Sequence, residues 1–240
     1  TCLSYTEVFK KESAKFEINS KEWKVLSLFE AITNFVLNHD DSGQLFTPLF
    51  IRDRSRTVLP QDFTEKQLTF FRQILHSIHD PELVARIADV LWEMKNGDKP
   101  FQFAEMAIEA YISSAEILLQ SRKYQIFSLE RINRSISLAR KIKYKNFESM
   151  FQRIEAFCDS DSLEEIVFIR IAESLLKNGY TPNSKLLDKS IKRKTQCIGE
   201  KDYLLADQYC GLIIDWYSAT KDKTQKKSVQ IDQANILVYR

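Results

Sequence analysis

Glycine and proline occur only five times each in 240 residues, against ordinary shares of about 7% and about 5%. Strands joined by tight turns need such residues between successive runs. No Asn-Gly pair here is flanked by alternating apolar residues; Asn96-Gly97 and Asn178-Gly179 each follow a helical run. One-sided charge is lacking too. The 35 basic and 33 acidic side chains leave a formal +2, which gives no global electrostatic case for nucleic acid or a membrane surface. Cys2, Cys158, Cys197 and Cys210 stand far apart, which excludes a zinc knuckle and a redox Cys-x-x-Cys and predicts buried free thiols in a reducing cytoplasm. No run approaches the roughly 20 apolar residues of a membrane span, and no basic-then-apolar leader opens the chain. There is no Gly-rich phosphate loop, no nucleophile elbow and no Ser/His/Asp order. No cofactor, no metal and no membrane partner is expected.

What is present is helical pattern. With 44% apolar and 12% aromatic residues the chain can build a large core. Asp80 is a good N-cap, and Pro81 fits the first helical position, where its missing N–H would have had no partner. Leu83, Ile87, Val90, Leu91 and Met94 then recur at three- and four-residue steps, and Asn96-Gly97 supplies a left-handed stop. Ala104, Ala107, Ile108, Tyr111 and Ala115 make the matching stripe of a second helix. Small residues there and at Ala85 and Ala88 allow close backbone approach around Trp92.

The same reading predicts an amphipathic helix over 21–39, an irregular segment over 44–62 containing Pro48 and Pro60, and a helix from Thr64 to about Ile78. Helix pairs follow: about 126–143 with 145–158, then one capped by Ser162 with Glu165 and closing at Asn178-Gly179, with a partner opened by Ser184. The last pair covers about 201–219 and 225 to the end. Pair starts near 81, 126, 162 and 201 are spaced by roughly 40 residues, in the range of stacked helical hairpins. The predicted fold is therefore all-α, an irregular tetratricopeptide-like α-solenoid, with a compact helical bundle as the alternative. Residues 1–62 form an N-terminal helical segment with an arginine-bearing loop, and 63–240 one continuous domain. The chain begins with Thr and stops just after Ile236, Leu237, Val238 and Tyr239, from which a fragment of a larger protein is expected.

Arg54-x-Arg56, Pro60-x-Asp62, the run Asp80-Pro81-Glu82-Leu83-x-Ala85-Arg86-Ile87-Ala88-Asp89-Val90-Leu91-Trp92, and Ala104-x-x-Ala107-Ile108-x-Ala110-Tyr111 follow in that order. Over residues 52–115 the chain thereby resembles the N-terminal helical domain of large bacterial proteins of unknown function. The resemblance implies a separate C-terminal helical domain, a host protein among defence-like loci, and no catalytic residue in this portion.

Candidate sites each have a plainer reading. His76 and His79 could share a metal, but histidines near a helix C-terminus also suit its dipole. Arg72 and His79, with six residues between, match the loose Arg-x4-6-His spacing of HEPN-type ribonucleases, which are similar to this chain in being helical. Arg86, Asp89 and Trp92 recur at three-residue steps, as an ion pair over a core indole or as a ligand site. Lys185, Lys189 and Lys192 share a helix face that could meet phosphates. Arg52, Arg54 and Arg56 alternate on an extended loop with only Asp53 among them, so they need partners elsewhere, internal or external. The functional expectation is a non-catalytic interaction or scaffold domain, whose partner is another protein or the missing C-terminal domain of the same chain. The alternatives are a HEPN-like ribonuclease using Arg72 and His79, and a nucleic-acid-binding module using the basic face.

Overall fold

A computed structural model describes residues 72–94, apart from 74 and 77, and 101–239. The predicted 21–39 helix, the Arg52, Arg54 and Arg56 loop, the 62/63 domain boundary, Cys2 and the Asn96-Gly97 stop lie outside the described residues. Within them the chain is all-helical: α1 Pro81–Met94, α2 Phe101–Leu119, α3 Gln125–Ile142, α4 Phe147–Phe157, α5 Glu165–Lys177, α6 Ser184–Gly199, α7 Tyr203–Ala219 and α8 Lys223–Tyr239, with a 3₁₀ turn at Arg122–Tyr124 before α3. The chain forms two compact units, residues 1–107 and 108–240, taken in turn.

In the first unit the Glu82 N–H donates to Asp80 Oδ1 at 2.9 Å, the N-cap expected ahead of Pro81. Leu83, Ile87 and Leu91 are buried on α1, with Ala85 and Ala88 beside them, and Phe103, Ala104 and Ala107 are buried on α2. Trp92 is buried, its ring 5.6 Å from that of Phe101 and tilted by 40°. Arg86 Nε donates to Glu82 Oε1 at 2.6 Å, one turn back along the same helix.

In the second unit α3 packs on α5 and α5 on α7, while α4 lies on α5, and α6 and α8 lie on α7. Alternate helices thus sit side by side. The helices stop in one recurrent way. Lys143, Gly179, Lys201 and Lys221 adopt positive φ of 52°, 80°, 64° and 61°. Each is followed by an N–H that reaches back five residues: Tyr144 to the Ala139 carbonyl, Tyr180 to Leu175, Asp202 to Cys197 and Asp222 to Tyr217. This is the Schellman closure. Lysine takes the left-handed position in three of the four, where glycine is the usual occupant; its ammonium suits the negative helix end.

Starts are capped by Asn183, whose side chain accepts from the Lys185 and Leu186 N–H groups, by Asp202 toward Leu205 and by Asp222 toward Gln225. Asn183 thus takes the capping place just before Ser184. The expected Ser162–Glu165 capping box does not form. Helix α5 begins at Glu165 itself, Ser162 Oγ pairs with Ser160 Oγ, and the Glu165 carboxylate is drawn to cationic and phenolic partners on other helices.

Candidate functional site

Two turns of the 108–240 unit are joined by a single side chain. Gln125, at the first position of α3, is 1% exposed. Its Nε2 donates to the carbonyls of Leu119 and Ser162, both at 3.1 Å, and its Oε1 accepts the Glu164 N–H at 2.8 Å. The turn leading into α3 therefore lies against the turn leading into α5. Arg122 Nε adds a looser bridge to Glu164 Oε1 at 3.5 Å.

Beside that junction is a cleft of about 570 Å³ lined by Asp161, Glu165, Asp188, Lys189, Lys192, Arg193 and Gln196. Five of these seven lie on one face of α6, at the spacing a helix brings together. Helix α6 is itself anchored through its entry: buried Glu155 accepts from Tyr180 Oη at 2.8 Å and from the Asn183 N–H at 2.5 Å. Within the cleft most charge is already matched. Lys189 Nζ donates to the Cys158 and Ser160 carbonyls at 2.8 and 3.2 Å, lies 3.6 Å from Asp161 Oδ1, and sits 5.6 Å from the centre of the Phe168 ring. It closes the C-terminal end of α4, whose last carbonyls have no helical partner. Arg193 pairs with Glu165 and stands 5.4 Å from the same ring. Glu165 in turn accepts from the hydroxyl of Tyr209, whose titration burial pushes upward. Asp188 and Lys192, one turn apart, are exposed on the rim of the cleft.

The candidate basic face therefore divides. Lys189 is turned onto the end of α4, while Lys185 and Lys192 stay exposed. In the first unit Arg72 Nη1 donates to Gln102 Oε1 at 2.5 Å, and His79 is exposed outside any helix, just ahead of the Asp80 cap. Among the described residues, no group of three or more His, Cys, Asp or Glu is gathered as a metal site would need. Cys158, Cys197 and Cys210 are buried free thiols. Burial pushes Cys158 up to about 12 and Cys210 to about 11, with Cys197 raised in the same direction. Among the described residues, no helix is long and apolar enough to cross a membrane.

An apolar tip escaped the sequence reading. Ile117, Tyr124, Ile126 and Phe127 fall within eleven residues and are 53%, 44%, 45% and 52% exposed. The signal lay in α3: Ser128 and Ser135 are fully buried, their hydroxyls returned to the Gln125 and Ile132 carbonyls at 2.7 and 2.8 Å. Together with Gln125, Ile132 and Ala139 they set the inward face by spacing, and that face excludes Ile126 and Phe127. Lys123 Nζ is 5.3 Å from the centre of the Tyr124 ring, and Arg122 reaches out from the same turn with its side chain 84% exposed.

The chain belongs to the family described as a domain of unknown function, DUF7380, whose model matches residues 1–150. No curated protein and no solved structure matches the chain.

Proposed function

We propose that this chain is a non-catalytic protein-interaction or scaffold domain, a stack of helical hairpins that presents the Ile117, Tyr124, Ile126 and Phe127 tip to another protein or to a further domain of the same polypeptide. The exposed tip is the observation that carries this reading: four large apolar side chains within eleven residues, at the end of α2 and the start of α3, mark an association site better than they mark a solvated one. The arrangement of charge supports it. Arg153 spends its guanidinium on Glu109, Ser113 and Glu116 of α2, Lys194 on Asp232 of α8, and Lys189 and Arg193 on the turns around α5. These groups hold helices together and leave the apolar tip facing outward. A bacterial cytoplasm suits the three reduced, buried thiols, and the resemblance to large bacterial helical proteins points to a defence-like setting.

The test is photo-crosslinking in the producing cells with p-benzoylphenylalanine at position 127 and, as a control, at exposed Lys185. A discrete adduct at 127, absent at 185 and lost in Ile126→Ser, is the expected result. Equal labelling at both positions, or none, would overturn the reading.

A further inference from the structure

Helices α3 and α5 run side by side in one direction. Gln125 meets Glu164 at their starts, Ser174 Oγ donates to Asn133 Oδ1 at 2.9 Å midway, and Arg140 Nη2 donates to the Asn178 carbonyl at 2.9 Å at their ends. Helix α6 runs back along α5, since Lys189 lies on Phe168 while Arg193, a turn later, reaches Glu165, a turn earlier. After the short turn at 200–202, α7 packs on α6 and takes the direction of α5 again. The C-terminal ends of α3, α5 and α7 therefore share one edge of this unit. Arg140, Lys141, Lys143 and Lys145 stand there around the end of α3, and Lys221 and Lys223 around the end of α7, all exposed. We propose that this edge binds the phosphate backbone of a duplex nucleic acid without regard to base sequence. It is a different surface from the apolar tip, so this proposal and the interaction reading can fail separately.

The formal +2 of the whole chain conceals this local excess. Arg140 bonds to a carbonyl, which leaves its charge unmatched, and among the described residues none of the six cations is ion-paired. The acids around them are fewer and mostly engaged. Glu173 is shared by Arg170 and Lys177 at 3.0 and 3.2 Å. Glu109 accepts from Tyr144 and is met by Arg153 at 3.2 Å, Glu155 is buried against Tyr180 and Asn183, and Asp222 caps α8 through the Gln225 N–H. Glu148 and Asp215 are the exposed acids there, set against the six and against Lys226 and Lys227 in the first turn of α8. One ammonium suits a helix end; four cations between 140 and 145 exceed that need. All the exposed large apolar side chains lie outside 140–148 and 215–227. The edge thus lacks the apolar centre of a protein contact and the anchors of a bilayer-bound segment, whereas phosphate contacts need only cations and polar donors. Tyr144 is buried, and Phe147, Tyr180 and Tyr217 are half-buried, so no open ring offers itself to unpaired bases and the duplex is the better fit.

The purified chain is titrated by fluorescence anisotropy against labelled DNA duplexes of unrelated sequence and the matching RNA duplexes, over a range of salt concentrations. Binding indifferent to sequence is expected, with log affinity falling against log salt at a slope of about −3 to −5. A preference for DNA or RNA tells which backbone is the source of the phosphates. Lys141→Gln, Lys143→Gly and Lys145→Gln together should weaken binding at least about tenfold and make the slope shallower by about 2 to 3. Lys143→Gly alone, which suits the left-handed backbone there and keeps the fold, should make it shallower by about 1. Lys201→Gly, the same change at the end of α6 and so away from this edge, should leave affinity and slope unaltered. Failure of both duplexes to bind at low salt would overturn the proposal, as would binding indifferent to the substitutions at 141, 143 and 145. So would tighter binding, lost in those same variants, to a single strand, to polyglutamate or to vesicles containing phosphatidylserine.

Discussion

Tyr209, fully buried in α7, donates its hydroxyl to the carboxylate of Glu165, forty-four residues earlier at the first turn of α5. Arg193 of α6 holds the same carboxylate, so three helices meet on one side chain. Tyr209→Phe keeps the ring against Phe168, 6.1 Å away between centroids, and removes only the hydroxyl. It should cost about 1 to 2 kcal/mol in urea unfolding. Glu165→Gln should cost more, because Arg193 loses its counter-charge where it is largely covered. A smaller loss in Glu165→Gln than in Tyr209→Phe would remove Arg193 from this network.

Gln125 is a second such centre. Gln125→Leu has nearly the right volume but strips two carbonyls and one N–H of their partner in a buried place, at about 3 kcal/mol. Gln125→Glu should be worse at neutral pH, since a carboxylate would face the Leu119 and Ser162 carbonyls. Its deficit should shrink as pH falls and the acid regains a proton to donate. Thermal melts of both variants across the acid range check the order.

The lysine stops predict the opposite sign. A left-handed residue with a Cβ is strained by about 1 kcal/mol relative to glycine, less what glycine loses in unfolded-state entropy. Lys143→Gly, Lys201→Gly and Lys221→Gly should each raise stability by a few tenths to about 1 kcal/mol, and the three gains should nearly add. A loss in all three would mean that the ammonium at the helix end outweighs the strain.

In the first unit, Trp92→Ala should cost about 3 to 5 kcal/mol, because a buried indole leaves a void that its neighbours fill only in part. An unchanged melting temperature would remove Trp92 from the core.

The thiols set an alkaline limit. Burial pushes the folded Cys158 thiol up to about 12 against an ordinary 9.0, and raises Cys197 and Cys210 as well. A raised folded value means that the unfolded chain releases protons first. The stability these groups contribute is complete below pH 9 and lost as pH climbs toward 12. Cys158→Ala should flatten that decline even if it lowers the plateau. The native chain should also resist alkylation at all three positions and take up three equivalents there on unfolding.

Helix existence was legible wherever large apolar residues recur at helical steps, as from Leu83 to Trp92, and the Asp80 cap and the Asn178-Gly179 stop were legible because their chemistry is local. Ser162 misled, because a capping box is a local pattern and here lost to longer-range bonds: Gln125 took the Glu164 N–H, and Arg193 and Tyr209 took the Glu165 carboxylate. Lys189 counted among surface lysines because spacing gives a face and not what that face meets. The tip at Ile126 and Phe127 was hidden for a related reason. Apolar residues at the start of a helix are ordinarily read as core, and only buried serines reveal that the inward face lies elsewhere.

The Gln125 junction grips nothing but main chain: the carbonyls of Leu119 and Ser162 and the amide of Glu164. Lys189 likewise reaches the carbonyls of Cys158 and Ser160. The path of residues 158–164 is held through these main-chain groups, while the side chain of Asp159 projects into solvent and enters none of these bonds. Position 159 is thereby open to substitution, and a spectroscopic label placed there would sit beside the cleft without loosening the turn that borders it.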